Sequence, residues 1–120
     1  TKDMVEKRSG SIINIASVTS ILPLTKVMAY GNAKSAILNL TQWLAVHFGE
    51  SGIRCNAIAP GFVETDMTAA LSEDLQKQML ETIPLKRYGQ VDDIAQAAVF
   101  LAKNTYITGQ VLHVDGGMCM

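Results

Sequence analysis

Three short apolar runs along the chain alternate with stretches of helical periodicity. The runs cover residues 11–16, 53–58 and 110–114. The first run is continuously apolar rather than alternating, which predicts a strand covered on both faces, as in parallel sheets. From about Ala29 to Glu50, apolar residues recur at three- and four-residue steps, which predicts a long helix that stops at Gly52.

Two shorter helices are predicted between the second and third runs. Leu71, Leu75 and Met79 mark one amphipathic helix, and Asp92-Asp93 begins the other, because acidic residues suit a helix start. The order strand, helix, strand, helices, strand predicts an α/β fold with a parallel sheet and covering helices. Three strands would leave an open apolar edge, so residues 1–120 are expected to form a single partial domain.

Composition and charge narrow the class of protein. The 120 residues are 48% hydrophobic and 18% charged, which is typical of a compact globular protein. The formal net charge of -1 does not favour nucleic acid as a partner. No apolar run approaches the ~20 residues of a membrane span, and no apolar signal core follows the charged N-terminus. A cytoplasmic protein without a membrane partner is therefore expected.

Cysteine and histidine are used sparingly. Cys55 and Cys119 are too few for a disulfide scaffold, and reduced thiols are the expected state. His47 and His113 lie far apart, with no cysteine or carboxylate at metal-ligand spacing. No metal site is predicted.

Three residues with complementary chemistry fall where a parallel sheet places its site, at the carboxyl ends of strands. Ser17 follows the first strand, and Tyr30 and Lys34 begin the long helix on one face. An ammonium beside a phenol lowers the phenol's pKa from ~10, so the tyrosine can transfer a proton near neutral pH. Ser17 is placed to hydrogen-bond the same substrate oxygen, which indicates proton transfer to a carbonyl oxygen as hydride arrives at its carbon.

Each part of this set has a simpler explanation when taken alone. A Tyr-x-x-x-Lys spacing is common on solvated helix faces, and a serine after a strand commonly serves a turn. Only the ordered combination favours catalysis. That combination, completed by Asn56–Gly61 and Val114–Gly117, resembles the short-chain dehydrogenase/reductases over nearly the whole chain.

The resemblance implies a fold and a set of catalytic roles. The fold would be the C-terminal half of a Rossmann-type doubly wound parallel sheet, with three strands and covering helices. Tyr30 would be the general acid/base. Lys34 would lower the pKa of Tyr30 and bind the nicotinamide ribose, and Ser17 would orient the substrate carbonyl.

The resemblance also implies how the cofactor is held. Tyr30 and Lys34 would contact it, and a further set of residues would line the nicotinamide pocket: Pro60, Gly61, Val63 and Thr65. Backbone groups near Val63 and the Thr65 hydroxyl would meet the carboxamide. The helix of Leu71, Leu75 and Met79 would be a mobile lid over the substrate.

This sequence departs from the family pattern in its dinucleotide-binding half. The Thr-Gly-x-x-x-Gly-x-Gly loop that receives the pyrophosphate is not in the sequence, nor is the family's catalytic asparagine. The isolated chain is therefore expected to have little affinity for cofactor and no activity of its own. The chemistry is expected in a longer parent protein.

The substrate class is read from two regions that disagree. Gly61–Met67, Ile83–Gly89 and Ile107–Val111 are similar to 3-oxoacyl-[acyl-carrier-protein] reductases, which use NADPH to reduce a 3-ketoacyl thioester in fatty-acid elongation. Pro23–Lys26 and Thr41–Phe48 look more like oxidoreductases of sugar acids such as mannonate or fructuronate. The acyl reductase is favoured because the lid and C-terminus contact substrate. NADPH is predicted, and NADH stays open.

The family also implies an assembly. Its long helix and last strand pack against neighbouring subunits, so a homo-oligomer, and specifically a tetramer, is expected with a small-molecule or acyl-carrier-protein-linked substrate. Trp43, on the long helix, is assigned to the core or to a subunit interface. The alternative from another class is a non-catalytic module that keeps the oligomer interface alone.

Overall fold

Three parallel strands form one sheet, with helices in the connections between them. The computed structural model describes residues 1–17 and 28–119, and for residues 28–31 and 67 it describes the backbone alone. The elements run in the order α1 (Lys2–Lys7), β1 (Gly10–Ile15), α2 (Met28–Phe48), a 3-10 turn (Gly49–Ser51), β2 (Ile53–Pro60), α3 (Asp66–Ala69), α4 (Glu73–Glu81), α5 (Val91–Lys103) and β3 (Val111–Val114).

The strand order is β1-β2-β3, with both pairs parallel. Gly10 stands opposite Ile53 at the start of the first pair, and Pro60 stands opposite Val114 at the end of the second. The predicted α/β fold with a parallel sheet is confirmed. The predicted strands and the long helix agree with the observed elements to within about two residues.

The central strand holds most of the core. Cys55, Ala57, Ile58 and Ala59 of β2 are at most 1% exposed, because β2 has a strand on each side and α2 packs mainly over it. By contrast β1 is only half-buried, and its Ile15 is 47% exposed. Both α2 and α5 contact β1, with α2 the more sparse of the two, so within the described ranges this strand is partly rather than fully covered.

Two polar side chains fasten α5 and the loop after it to β2. The Arg54 guanidinium donates to the carbonyls of Leu101 and Ala102, at 2.6 and 2.8 Å, which satisfies carbonyls that a helix end leaves unpaired. Buried Asn56 donates to the Ile107 carbonyl at 2.9 Å and accepts from the Gln110 N–H at 3.0 Å. These bonds set the position at which β3 begins.

Three large apolar side chains are exposed on the outer surface of α2. Leu40, Trp43 and Val46 are 48%, 56% and 83% exposed. The Trp43 indole stacks on the His47 imidazole with ring centroids 4.6 Å apart. Trp43 is therefore not a core residue of the described structure. Within the described ranges, no helix has the length and apolarity needed to cross a membrane.

Candidate active site

The carboxyl ends of the three strands meet at one edge of the sheet. The ladder continues beyond β1, where the Ala16 N–H donates to the Ile58 carbonyl at 2.8 Å. It continues beyond β2, where the Gly61 N–H donates to the Val114 carbonyl at 3.0 Å. Ser17, which is partly buried, follows Ala16 directly. The predicted serine and the loop after β2 therefore share this edge, where parallel α/β folds bind ligands.

Lys34 reaches this edge from α2. Its ammonium donates a hydrogen bond to the Ile15 carbonyl at 3.1 Å, which places the charge two residues before Ser17 along β1. The Tyr30 backbone lies in α2 about one turn before Lys34. The side chain of Tyr30 lies outside the described residues. The described geometry thus brings together the ammonium of Lys34 and the strand end that carries Ser17.

A part-buried hydrogen bond connects α2 to β1 beside this edge of the sheet. The Asn14 amide on β1 donates to the Thr41 hydroxyl at 2.9 Å, and that hydroxyl donates to the Ile37 carbonyl at 2.7 Å. Thr41 is fully buried and lies about two turns after Lys34, on the same side of the helix. The sequence does not predict this contact. Its only signal is a polar residue within each of two apolar patterns, one on the strand and one on the helix.

The loop after β2 is held in extended form by the segment before α5. The Glu64 N–H donates to the Gly89 carbonyl at 2.8 Å, and the Gly89 N–H donates to the Phe62 carbonyl at 2.9 Å. Val63 stands between these bonds in a parallel bridge. Since both bonds use the groups of its neighbours, the N–H and carbonyl of Val63 point away from Gly89. This donor–acceptor pair has the chemistry that a carboxamide ligand needs.

Thr65 ends the loop and caps α3. Its hydroxyl accepts from the Thr68 N–H at 3.4 Å, while its own N–H donates to the Thr68 hydroxyl at 2.8 Å. A hydroxyl that accepts a hydrogen bond keeps its proton for donation. The exposed Thr65 side chain therefore retains a donor for a ligand oxygen.

Gly61 makes a close backbone contact with the turn after β3. A Cβ at Gly61 would lie 2.7 Å from the Asp115 Cβ and 2.8 Å from its Cα. Both carboxylate oxygens of Asp115 accept backbone N–H groups, from Gly117 at 2.9 Å and Cys119 at 3.0 Å. The sequence motif includes Asp115, but its contact with the loop after β2 is found only in the structure.

Two open grooves lie on the described surface, and the first of them borders the site because its lining includes Gly89 and Asp115. One of about 610 Å³ has Arg87, Asp93, His113 and Cys119 in its lining, and the Arg87–Asp93 ion pair there is 3.8 Å long and largely exposed. The other, of about 570 Å³, lies near the start of the sheet and includes Tyr106. Among the described residues, no group of three or more histidine, cysteine, aspartate or glutamate side chains is arranged to hold a metal ion.

Family comparison agrees with the fold. A family model described as enoyl-(acyl-carrier-protein) reductase matches residues 1–119. The chain belongs to this family of short-chain dehydrogenase/reductases, and the resemblance expected from the sequence is confirmed. The Rossmann-like α/β class is confirmed with it.

Two of the similar proteins are described as 3-oxoacyl-[acyl-carrier-protein] reductases. The chain is 48% identical over 122 residues to a 3-oxoacyl-[acyl-carrier-protein] reductase of Staphylococcus epidermidis, covering 100% of this chain and 50% of the relative. It superposes on the crystal structure of a 3-oxoacyl-[acyl-carrier protein] reductase from Brucella melitensis with a TM-score of 0.95 at 35% identity, covering 99% of this chain and 46% of that one.

A structure with a different description is also similar. It is a protein of Agrobacterium tumefaciens, provisionally assigned as a 2-deoxy-D-gluconate 3-dehydrogenase and solved with bound NADP. The TM-score is 0.91 at 43% identity, covering 98% of this chain and 50% of that one. The chain thus spans about half the length of each of these proteins.

Proposed function

We propose that these residues carry the proton-transfer centre of an NADP(H)-dependent carbonyl reductase, which also runs as an alcohol dehydrogenase in reverse. The observation that carries the proposal is the 3.1 Å hydrogen bond from the Lys34 ammonium to the Ile15 carbonyl. It sets the charge at the strand end from which Ser17 follows and about one helical turn from Tyr30. A lysine on a purely solvated helix face has no reason to be held there.

Three residues divide the work of the reaction. The Tyr30 phenol donates its proton to the carbonyl oxygen of the substrate, and the Ser17 hydroxyl hydrogen-bonds the same oxygen. The Lys34 ammonium stabilises the phenolate that Tyr30 becomes, which makes the proton easier to release near neutral pH. The product is an alcohol, with one hydrogen on the former carbonyl carbon and one on its oxygen.

The loop after β2 fits a nicotinamide cofactor. A bound NADPH would supply the hydride for the carbonyl carbon. The Val63 peptide groups and the Thr65 hydroxyl would hold its carboxamide. Because glycine has no side chain, the loop can pack closely against the turn at Asp115. Pro60 would form part of the same pocket. NADPH is favoured over NADH because a similar structure holds NADP.

The favoured substrate is a 3-ketoacyl thioester on acyl carrier protein. The 48% identity to the Staphylococcus epidermidis reductase supports this choice. A second candidate is a sugar-acid oxidoreductase, supported by the 43% identity to the Agrobacterium tumefaciens protein. Both candidates use the same proton-transfer residues and differ only in what the lid recognises.

The experiment compares two substrates in the complete natural polypeptide that carries residues 1–120. NADPH binding is followed by nicotinamide fluorescence, and turnover is followed by NADPH oxidation. Faster reduction of acetoacetyl thioester than of fructuronate supports the acyl reductase, and the reverse order supports the sugar-acid enzyme. Turnover of neither substrate, from a folded protein that binds NADPH, would contradict both assignments.

We further propose that α2 is a subunit interface and that the protein is a homo-oligomer, with a tetramer as the expected size. The exposed row of Leu40, Trp43 and Val46 supports this, because apolar side chains exposed together commonly mark interfaces. A non-catalytic oligomerisation module would use the same face. The two are distinguished by cofactor binding, since self-association without NADPH binding supports the module. That residues 1–120 form a single partial domain also remains a proposal.

A further inference from the structure

The turn that follows β3 contacts the chain at two places that are distant in sequence. Gly61, which leaves β2, packs against Asp115 at a distance that admits no side chain. Leu85, which follows α4, donates its N–H to the Gly116 carbonyl at 3.1 Å. Residues 62–84 lie between these contacts. They include the Val63–Thr65 loop and the helix α4, which is the expected lid.

The returning segment is anchored by side chains as well. Ile83 is 1% exposed, and its Cγ2 lies 2.7 Å from the point where a Cβ at Gly116 would stand. By comparison α4 has no buried residue, and Leu75 within it is 42% exposed. Within residues 62–84, α4 is therefore packed less tightly than the two ends.

The carboxylate of Asp115 orders this turn. Gly116 and Gly117 have φ values of 66° and 95°, in the left-handed region that favours glycine. Two successive left-handed glycines leave the backbone free to adopt other shapes unless something holds it. The two Asp115 oxygens do so by accepting the N–H groups of Gly117 and Cys119 at 2.9 and 3.0 Å.

We infer that Asp115 is a positioning residue. Its carboxylate fixes the turn after β3, and that turn supports Gly61, which leads into the Val63–Thr65 loop, and Leu85, which follows the expected lid helix α4. The inference rests on the proposed function for its link to cofactor and substrate. Asp115 itself acts through Gly61 and Leu85. It is not expected to touch the reacting atoms.

Three variants test this inference in the complete natural polypeptide. Asp115→Ala removes both acceptors. Asp115→Asn keeps one acceptor and turns a donor toward the second N–H, so a smaller effect is expected. Asp3→Asn is the control, because it makes the same chemical change at an exposed position in α1, far from the turn.

The local readout is amide hydrogen exchange at three positions. The Leu85 amide donates to Gly116 in the turn, and the Gly61 amide donates to Val114, the residue before the turn. The Gly109 amide donates to the Cys55 carbonyl at 2.7 Å, near the opposite end of the sheet. In Asp115→Ala, exchange at Gly61 and Leu85 is expected to rise by roughly ten- to a hundredfold, with little change at Gly109. Asp115→Asn should fall between Asp115→Ala and the unsubstituted protein.

The functional readout separates binding from chemistry. The Kd for NADPH and the KM for the ketoacyl substrate are expected to rise about tenfold in Asp115→Ala, with a smaller change in kcat. Equal acceleration of exchange at all three amides would indicate general loss of stability and would overturn the inference. So would unchanged exchange at Gly61 and Leu85.

A failure of the proposed function gives a different result. If the unsubstituted protein binds no NADPH, the reductase assignment fails. The exchange rates at Gly61 and Leu85 would still decide whether Asp115 positions the two segments. If Asp115→Ala does not fold, Asp115→Asn provides the same comparison with a milder change.

Discussion

The Lys34 ammonium donates a hydrogen bond to the Ile15 carbonyl at 3.1 Å, joining the start of the long helix to the end of the first strand. This contact connects two parts of the proposed site that are separated by 19 residues. It also restrains the lysine, whose side chain with four rotatable bonds would otherwise move freely on an open helix face. In the proposed mechanism, this restraint keeps the Lys34 charge close enough to favour proton release from Tyr30.

Substitution of this lysine tests its electrostatic role. Lys34→Met is expected to lower turnover by roughly 10²- to 10⁴-fold, because proton transfer loses its tuned donor. In the direction of alcohol oxidation, the pH of half-maximal rate should move upward, since Tyr30 stays protonated to higher pH without the ammonium. Rates measured across pH check both effects.

The control for that variant is Lys103→Met, at an exposed position in the last turn of α5. It removes the same charge without touching the site. An unchanged pH profile in Lys34→Met would contradict the assigned role, even if turnover fell.

The buried contact between Asn14 and Thr41 is expected to hold α2 in place. Thr41→Val keeps the side-chain shape but removes the hydroxyl, which leaves the part-buried Asn14 amide with only its long contact to the Cys55 Sγ at 3.7 Å. The free energy of unfolding should fall by about 1–3 kcal/mol. Chemical denaturation of Thr41→Val, Asn14→Ala and the double variant gives the coupling energy, expected at roughly 0.5–3 kcal/mol.

Thr105→Val serves as the control, since Thr105 is exposed and a change of about 0.5 kcal/mol or less is expected there. Additive effects of Asn14→Ala and Thr41→Val would show that the two side chains do not depend on each other. In that case another contact must fix the helix.

Much of the fold could be predicted because its elements have local signals. The long helix and the last strand are marked by periodicity, and Asp92-Asp93 indicated the start of α5, which begins at Val91. Such patterns depend only on residues that are close together in the sequence. The half-burial of β1 was not predictable in the same way, because a run of apolar residues reads alike at the edge and in the centre of a sheet.

The candidate site also has one part that local sequence predicts and one part that only the fold brings together. Ser17, Tyr30 and Lys34 are predicted from their order and spacing, which a single sequence displays directly, and their catalytic roles stay a prediction. The bridge between Val63 and Gly89 and the packing of Gly61 on Asp115 are non-local. Nothing in the spacing of these residues specifies which pairs meet, so the shape of the loop after β2 had to come from the structure.

The close approach at Gly61 makes a specific prediction. Gly61→Ala would put a Cβ 2.8 Å from the Asp115 Cα, so the backbone must move. A loss of about 1–3 kcal/mol in the free energy of unfolding is expected, together with weaker NADPH binding. Thermal denaturation and a fluorescence titration measure the two effects.

Gly49→Ala is the matched control, because a Cβ at Gly49 meets nothing within 4 Å. It is expected to be neutral or to stabilise the protein by about 0.4–1 kcal/mol through a less flexible unfolded chain. Equal tolerance of alanine at Gly61 and Gly49 would refute the proposed close packing.

Cys55 should behave as a buried thiol. Burial raises the pKa of the Cys55 thiol above its ordinary value of 9.0, because the thiolate is poorly solvated there. At pH 8, alkylation by iodoacetamide should therefore be much slower at Cys55 than at the partly exposed Cys119. Mass spectrometry after timed quenching compares the two, and in urea the difference should vanish.

The same shift makes a prediction about stability and pH. Well below pH 9.0 the Cys55 thiol is protonated in both the folded and the unfolded chain, so there it adds no pH dependence. Above that value the unfolded chain loses the proton first, and the free energy of unfolding should fall as pH rises. Cys55→Ala should lack this component of the alkaline slope, and an identical slope in both proteins would argue against it.

The central claim is that Tyr30 transfers the proton, and one substitution tests it most directly. Turnover of acetoacetyl thioester with NADPH is measured for the complete natural polypeptide and for its Tyr30→Phe variant, with thermal denaturation to confirm equal folding. A fall in kcat of roughly 10²-fold or more, with stability nearly unchanged, is predicted. Comparable turnover in a folded Tyr30→Phe variant would contradict the catalytic assignment.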